Sequence, residues 1–337
     1  MAPFITVKDV AREAGVSTAT VSRVLNNTGP VGPETRTRIE AAIEQLGYHP
    51  NVVAQELVRG RSSVVGVLTQ HNSTPFYGDI LSGITDGLQG TAYQPLFAHG
   101  FWSSEKEHAA LKLLISRRVD ALIVLAGEIP DLDLLGLSER IPLVVVARVV
   151  KGLEKRCLRA DNVQGGHLAT RHLLDLGHRR IVHITGHLHS PLQLDAHDRL
   201  QGYRKALQEA GVDPRPEWVV EGDFTEASGH RAIVSLLQQE VQFSAVFAAN
   251  DQMAYGARLA LQQHGLQVPE AVSLVGYDDL TMSGYTLPPL TTVRQPAVKM
   301  GKAAARLVLS VLNKTRATLP AFTNELIVRQ STSKRPF

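Results

Sequence analysis

Residues 6–48 read TVKDVAREAGVSTATVSRVLNNTGPVGPETRTRIEAAIEQLGY, and the placement of caps and apolar residues divides this stretch into three short helices. Thr6 and Asp9 stand three apart ahead of an apolar run, the form of a capping box with Asp in place of the usual Glu. Behind them Val7, Val10, Ala11 and Ala14 recur at i, i+3, i+4 and i+7, which predicts an amphipathic helix. Gly15-Val16 stops it, and Ser17 is a good N-cap for a second helix. In that helix Val21, Val24 and Leu25 face inward, while Thr18, Ala19, Ser22, Arg23 and Asn26 fall on the opposite side. Pro33 suits the first turn of a third helix, with Ile39, Ala42, Ile43 and Leu46 as its buried stripe and Gly47 as its end.

Three short helices joined in this way have the form of a helix-turn-helix module. The outward face of the second carries small polar side chains and one Arg, a surface able to enter a major groove and take guanine. The same spacing also fits a small solvated helical subdomain with no ligand. Working outward, residues 50–61 read as a hinge: Pro50 bars continuation of the third helix, Asn51 can cap, Val53 and Leu57 share a face, and Gly60 ends the segment. Some eight residues are too few for a stable helix in water. The segment therefore orders only when something packs on it, or else serves as a linker with Leu57 tucked against the core.

After Arg61 the pattern changes. Continuous apolar runs stand at Val64–Leu68, Ala121–Leu125, Leu143–Val146, Ile181–Ile184, Ala245–Ala248 and Val272–Val275, with weaker runs at Gln94–Ala98 and Trp218–Val220. Helical patterns such as Glu105–Arg117, Gly166–Leu176 and Ala254–His264 lie between them. Strands too apolar to alternate, separated by helices, predict parallel sheets covered on both faces. The number of units exceeds one small sheet, so two lobes are expected: lobe 1 over about 62–160 plus 292–321, lobe 2 over about 161–291 plus 322–332. The domain plan is then a head over 1–49, a hinge over 50–61 and a binding and dimerisation core over 62–337.

In such sheets ligands bind beyond the carboxyl ends of the strands. The residues that follow each run are Phe76-Tyr77, Arg148, Asn250-Asp251 and Asp278-Asp279, with His187, Gln193, Asp195 and Arg199 after the Ile181 run. Carboxylates, an amide, an Arg and aromatic rings around one cleft suit a polyhydroxylated ligand. Taken singly, each Asp or Asn also fits a cap or a turn.

Composition sets outer bounds. The 337 residues carry a net charge of +3, and residues 1–61 hold seven basic side chains against six acidic ones, so charge alone names no partner. No apolar run approaches the roughly 20 residues that span a bilayer. The N-terminus lacks the apolar core of a signal peptide, and Cys157 is the one cysteine. These features place the expected chain in a reduced cytoplasm, away from membranes. Thirteen His, with His183, His187 and His189 close together, do not have helical metal-ligand spacing. Trp102 reads as a loop-packing residue. No dinucleotide, phosphate-loop or nucleophile-elbow pattern occurs, so no cofactor and no enzymatic activity are expected.

The stretch from VKDVAREAGVSTATVSRVLNN through VAQELVRGRS resembles the DNA-binding head and hinge of the lactose-repressor (LacI/GalR) family of bacterial transcription regulators. Further matches run through ADNVQGGHLATRHLLDLGHRRIVHITG, DRLQGYRKALQEAG, AVFAANDQMAYGARLAL and VSLVGYDDLTMSGYTLPPLTTVRQP, covering nearly the whole chain. The resemblance implies that Thr18 and Ala19 open the recognition helix and choose operator bases. Arg23 would be the main base reader, Thr20 and Ser22 would position the backbone, and Asn26 would touch a phosphate. Thr6 and Ser17 complete the set in the head. Asn51 and Ala54 would add hinge contacts, and Leu57 would wedge into the minor groove at the operator centre.

For the core, the resemblance implies an effector site of Phe76, Tyr77, Gln193, Asp195, Arg199, Phe224, Asn250, Asp251 and Asp278. Arg148 joins this list as a group able to meet an acidic ligand. Two departures stand out. Gly32 replaces the usual Ser or Thr cap of the third helix, and Ala147 stands where many sugar-sensing relatives have an Asp. The second departure favours a disaccharide or glycoside over a monosaccharide. The expected function is a repressor of a carbohydrate operon: a homodimer on a pseudo-palindromic operator, released or recruited by a small effector. Family tetramers carry a C-terminal heptad helix that does not follow RQSTSKRPF here. The competing expectations are a sugar-binding or sugar-processing α/β protein with no DNA role, and a regulator that needs a purine-type corepressor.

Overall fold

The computed structural model describes residues 5–26, 28–48, 61–70, 75–189, 194–318 and 320–335. The chain separates into two compact units, Met1–Ser63 and Val64–Phe337, and each is described by itself.

The first unit is the helical trio. Helices α1 (Val7–Glu13), α2 (Thr18–Asn26) and α3 (Pro33–Leu46) enclose a small core of Val10, Ala11, Ala14, Val21, Val24, Ile39, Ala42 and Tyr48. The Thr6 backbone N–H and hydroxyl both donate to the Asp9 carboxylate, at 2.9 and 2.6 Å. The shorter Asp thus reaches back far enough to serve as the acid of the box. Gly15 takes φ +64° to end the first helical segment, and the Ser17 hydroxyl accepts from Thr20 N–H at 3.1 Å to begin α2. At the start of α3 Gly32 offers no side-chain cap, yet Pro33 supplies the fixed φ of the first turn and Arg36 N–H reaches the Gly32 carbonyl at 3.0 Å.

The second unit carries two sheets. Sheet one, in order β2-β1-β3-β4-β5, pairs Gln94–His99, Val64–Thr69, Ala121–Leu125, Leu143–Val146 and Cys157–Leu158, all parallel. Sheet two, in order β11-β10-β9-β8-β6-β7, uses Glu325–Ile327, Thr291–Arg294, Ser273–Asp278, Ala245–Ala248, Ile181–Thr185 and Val219–Glu221. It is parallel except at its edge, where β11 returns antiparallel to β10. Both weaker runs of the sequence are strands. Helices cover both faces of each sheet. α4 (Pro75–Leu88) and α11 (Ala297–Leu312) bury Ile80, Ile84, Ala304 and Val308 on one face of sheet one. α5 (Ser104–Ser116) and α6 (Asp131–Ser138) bury Leu111, Leu114 and Leu134 on the other. In lobe 2, α7 (Asn162–Asp175) and α8 (Leu194–Glu209) lie opposite α9 (Glu226–Gln238) and α10 (Asp251–Gln263).

The chain crosses between lobes three times, and two crossings depart from the expected boundaries. Thr291–Arg294 is hydrogen-bonded into sheet two, so the second crossing falls at Gln295-Pro296 instead of 292. This strand holds too few apolar residues to register as a run. Phe322 still packs in the core of lobe 1, so the third crossing falls at Thr323-Asn324.

Reciprocal glycines bring α7 and α8 together, and this contact builds the site. A Cβ on Gly166 would lie 2.3 Å from the Arg199 carbonyl, and one on Gly202 would lie 2.1 Å from the Val163 carbonyl. Only hydrogen at both positions permits the helix backbones to touch.

Candidate functional site

Two surfaces carry functional side chains. In the helical unit, Thr18, Ala19 and Arg23 are exposed on the face of α2 opposite Val21 and Val24. Thr20 and Ser22 are half-buried, and the Thr20 hydroxyl pairs with Ser17 at 2.8 Å. Ser17 and Thr6 are therefore helix-starting residues whose hydroxyls already have intramolecular partners. Asn51, Ala54 and Leu57 lie outside the described residues, as does the side chain of Asn26.

In the core, the carboxyl ends of the two sheets face a cavity of about 530 Å³. From lobe 1 come Phe76 and Tyr77 at the start of α4, Trp102 after β2, Ala126 after β3 and Ala147 after β4. From lobe 2 come Asp195 and Arg199 on α8, Asp223 and Phe224 after β7, Asn250 after β8 and Asp278 at the end of β9. The Phe76 and Tyr77 rings meet edge to face at 5.3 Å, and Tyr77 meets Trp102 at 5.8 Å. On the opposite side Phe224, held at φ +64°, presses its ring over Gly186, where a Cβ would come within 2.0 Å of it.

The polar floor is an Arg between two carboxylates. Arg199 is 3% exposed; its Nε donates to Asn162 Oδ1 at 2.9 Å and its Nη1 to the Ala249 carbonyl at 2.5 Å. The guanidinium lies 3.8 Å over the Tyr277 ring, and Nη2 stands 4.0 Å from Asp278. Asp195 accepts from the Asn162 amide at 2.8 Å, and Asp278 from Gln295 at 2.7 Å. In each carboxylate this bond engages Oδ1. Burial pushes the Asp278 carboxyl up to about 6 against the opposing pull of Arg199 and Gln295, with Asp195 adding to the rise. Burial likewise raises Asp195. These groups lack the solvation that ligand hydroxyls would replace.

Two expected ligand residues are not in the lining. Asp251 is fully buried: Oδ2 accepts from Leu280 N–H at 2.8 Å and Ser283 Oγ at 2.5 Å, and Oδ1 from Thr292 Oγ1 at 2.6 Å. It ties the loop after β9 and the strand β10 to the start of α10. Arg148 is 2% exposed and bonds the Gly127 carbonyl at 2.8 Å and Asp131 at 2.5 Å, behind the cavity wall. Ala147, at φ +61°, turns the chain so that its own methyl meets the cavity and the next side chain points away. Gln193 lies outside the described residues. Trp102, read from sequence as loop packing, is instead a wall of the cavity; Phe101 and Trp102 both have φ +55°, a turn with no periodic signature. His187 lines the rim near Glu221 at 3.8 Å, and His189 pairs with the same carboxylate at 2.9 Å.

Two parallel sheets facing one cleft, each flanked by helices, define a two-lobed binding protein joined in this chain to a helix-turn-helix head. Residues 6–51 match the lacI family of bacterial regulatory proteins, and residues 170–332 match a periplasmic binding protein-like domain. The HTH-type transcriptional regulator GalR of Escherichia coli strain K12 is 41% identical over 320 residues, 95% of this chain and 92% of that protein. Among solved structures, the Lac repressor dimer bound to operator and the anti-inducer ONPF superposes with a TM-score of 0.89 at 30% identity, covering 98% of this chain and 100% of that one. The complex of the transcriptional regulator CelR with cellobiose gives 0.72 at 35% identity over 97% of this chain and 99% of its own. The chain belongs to the lacI family. It is a DNA-binding transcriptional regulator controlled by a small-molecule effector. No helix among the described residues is long and apolar enough to cross a membrane.

Proposed function

We propose that the protein is a cytoplasmic, dimeric repressor of carbohydrate-utilisation genes, and that its effector is a neutral sugar larger than a monosaccharide, bound in the interlobe cavity. The observation that carries this reading is the pairing of an aromatic wall (Phe76, Tyr77, Trp102 and Phe224) with the Asp195–Arg199–Asp278 floor. Rings cover the apolar face of a pyranose, while carboxylates and a guanidinium take its hydroxyls. With Arg148 outside the lining, the charged groups of the floor are two acids and one base, which disfavours a phosphorylated or acidic ligand. The cavity volume falls within the roughly 300–1,000 Å³ usual for small-molecule sites. The methyl of Ala147 leaves space where a carboxylate would stand. The cellobiose bound by the related CelR agrees with this class.

On the DNA side, Thr18, Ala19 and Arg23 read bases in the major groove while Thr20, Ser22 and Asn26 set the register. Asn51, Ala54 and Leu57 act at the operator centre. Leu96 and Phe97 on the edge strand β2, together with Tyr285 and Leu287 near lobe 2's last strands, leave large apolar side chains exposed and support pairing of two copies. No residue of the cavity is assigned a catalytic role; the effector leaves unchanged.

Thermal melts against a panel of monosaccharides, β-linked disaccharides, sugar phosphates and purines test the reading. A ligand at 100 times its dissociation constant adds about 2.7 kcal/mol to stability. A disaccharide or glycoside that raises the melting temperature supports it. A response to a purine or a sugar phosphate alone would replace it.

A further inference from the structure

We propose that Asn162 is the positioning residue that couples the cavity to the segments crossing between the lobes: the placement of Arg199 and Asp195 reaches those crossings through its amide. The inference rests on reading the cavity as the effector site, and it adds a residue that does not itself line the cavity.

Asn162 is 2% exposed and opens α7, directly after the first crossing at Arg159–Asp161. Its side chain touches three groups of the floor. Oδ1 accepts from Arg199 Nε at 2.9 Å and from the Tyr277 hydroxyl at 3.1 Å, and Nδ2 donates to Asp195 at 2.8 Å. Two acceptor bonds on one atom and a donor bond to a carboxylate fix the orientation of the amide; rotating it by half a turn would set donor against donor at Arg199 and acceptor against acceptor at Asp195. The side chain is admitted by the glycines that follow it. A Cβ on Gly165 would lie 2.0 Å from the Tyr277 hydroxyl, and one on Gly166 would meet the Arg199 carbonyl.

The backbone beside this amide is tied to another crossing. The Asp161 carbonyl accepts from Asn324 Nδ2 at 2.5 Å. Asn324 N–H in turn reaches Gln164 Oε1 at 3.3 Å, and the Asp161 side chain caps Gln164 N–H at 2.9 Å. Asn324 is the last residue before β11, at the third crossing. A ligand that draws Arg199 or Asp195 toward itself therefore pulls on one amide, and that amide sits at the joint between two of the three interlobe segments. A shift passed through a buried amide bonded directly to Arg199, Tyr277 and Asp195 is not absorbed by solvent, because each contact lies within hydrogen-bond distance.

The test does not need the effector. Amide hydrogen exchange is measured over residues 322–328 in four full-length proteins: the native chain, Arg199→Lys, Asn162→Ala and the double variant. Arg199→Lys keeps the charge but removes the Nε donor to Asn162. It is expected to speed exchange at 322–328 by about fivefold in the native background, and to have little further effect once Asn162 is Ala. Equal acceleration in both backgrounds, or none in the native one, overturns the proposal. If Asn162→Ala does not fold, Asn162→Asp replaces it; this variant keeps both acceptor bonds and loses the donor to Asp195, and Asp195→Asn is then the partner substitution. Cellobiose and D-galactose form a separate arm. Failure of both to raise the melting temperature of the native protein counts against the sugar reading and leaves the four-protein comparison to decide the role of Asn162.

Discussion

The Asn250 amide nitrogen donates to the Phe224 carbonyl at 2.9 Å while its oxygen accepts from Met253 N–H at 2.9 Å. The residue that caps α10 thereby also fixes the aromatic ring that covers one side of the cavity. Phe224 sits at φ +64°, a conformation that a non-glycine residue keeps only when its surroundings impose it.

Asn250→Ala removes both bonds. We expect a loss of about 1–2 kcal/mol in stability, in line with removal of an N-cap, which Asn250→Asp avoids by keeping the cap, and a drop in ligand affinity in both variants, because each loses the amide donor to the Phe224 carbonyl. Chemical denaturation and ligand titration on the two variants check this.

Asp251 is a buried structural acid. Burial raises its carboxyl to about 7, opposed by the hydroxyls of Ser283 and Thr292, with Asp278 adding to the rise. A carboxyl whose folded value exceeds its unfolded one gives stability that is complete below about 4 and is lost as pH rises through 7. Relative to Asp251→Asn, which is neutral throughout, the native protein should therefore lose stability between pH 4 and 7 and run parallel above it. Asp251→Ala leaves three buried donors unpaired and should cost about 3 kcal/mol or more. Denaturant midpoints across pH measure both effects.

Ala147→Asp places a carboxylate on the cavity wall at a position whose φ of +61° Asp tolerates better than most side chains. We expect monosaccharide binding to strengthen relative to disaccharide binding. Paired calorimetric titrations give the ratio, and an unchanged ratio would show that this wall does not select ligand size.

Gly166→Ala drives a methyl into the Arg199 carbonyl across the α7–α8 contact. Overpacking of this kind costs about 1–3 kcal/mol, and here it also displaces Arg199. Ligand affinity should fall together with the melting temperature, whereas Gly136→Ala on the exposed face of α6, whose Cβ meets nothing, should leave affinity unchanged and raise the melting temperature slightly through helix propensity.

The sequence was most informative where period and punctuation coincide. Thr6, Ser17, Pro33 and Gly47 bound the helical trio, and the central strands Ala121–Leu125, Leu143–Val146 and Ala245–Ala248 are continuous apolar runs because both faces are buried. Short strands such as Thr291–Arg294, next to the edge strand β11, have no such run, and there the lobe boundary expected from sequence differs from the fold. In the cavity, position after a strand located the right loops but did not give the direction of each side chain. Arg148 follows a left-handed Ala147 and turns behind the wall; Asp251 follows a capping Asn250 and turns under the loop. Trp102 reaches the cavity through two left-handed residues, a geometry that no spacing rule announces.

The most direct test of effector control begins by selecting an operator from random duplexes and titrating it with native protein and Arg199→Ala, each with and without the sugar that raises the melting temperature. The account predicts a change in operator affinity of about 5–150-fold for the native protein and none for Arg199→Ala, with equal operator affinity for the two in the absence of sugar. An Arg199→Ala protein that answers the sugar as the native protein does would contradict it.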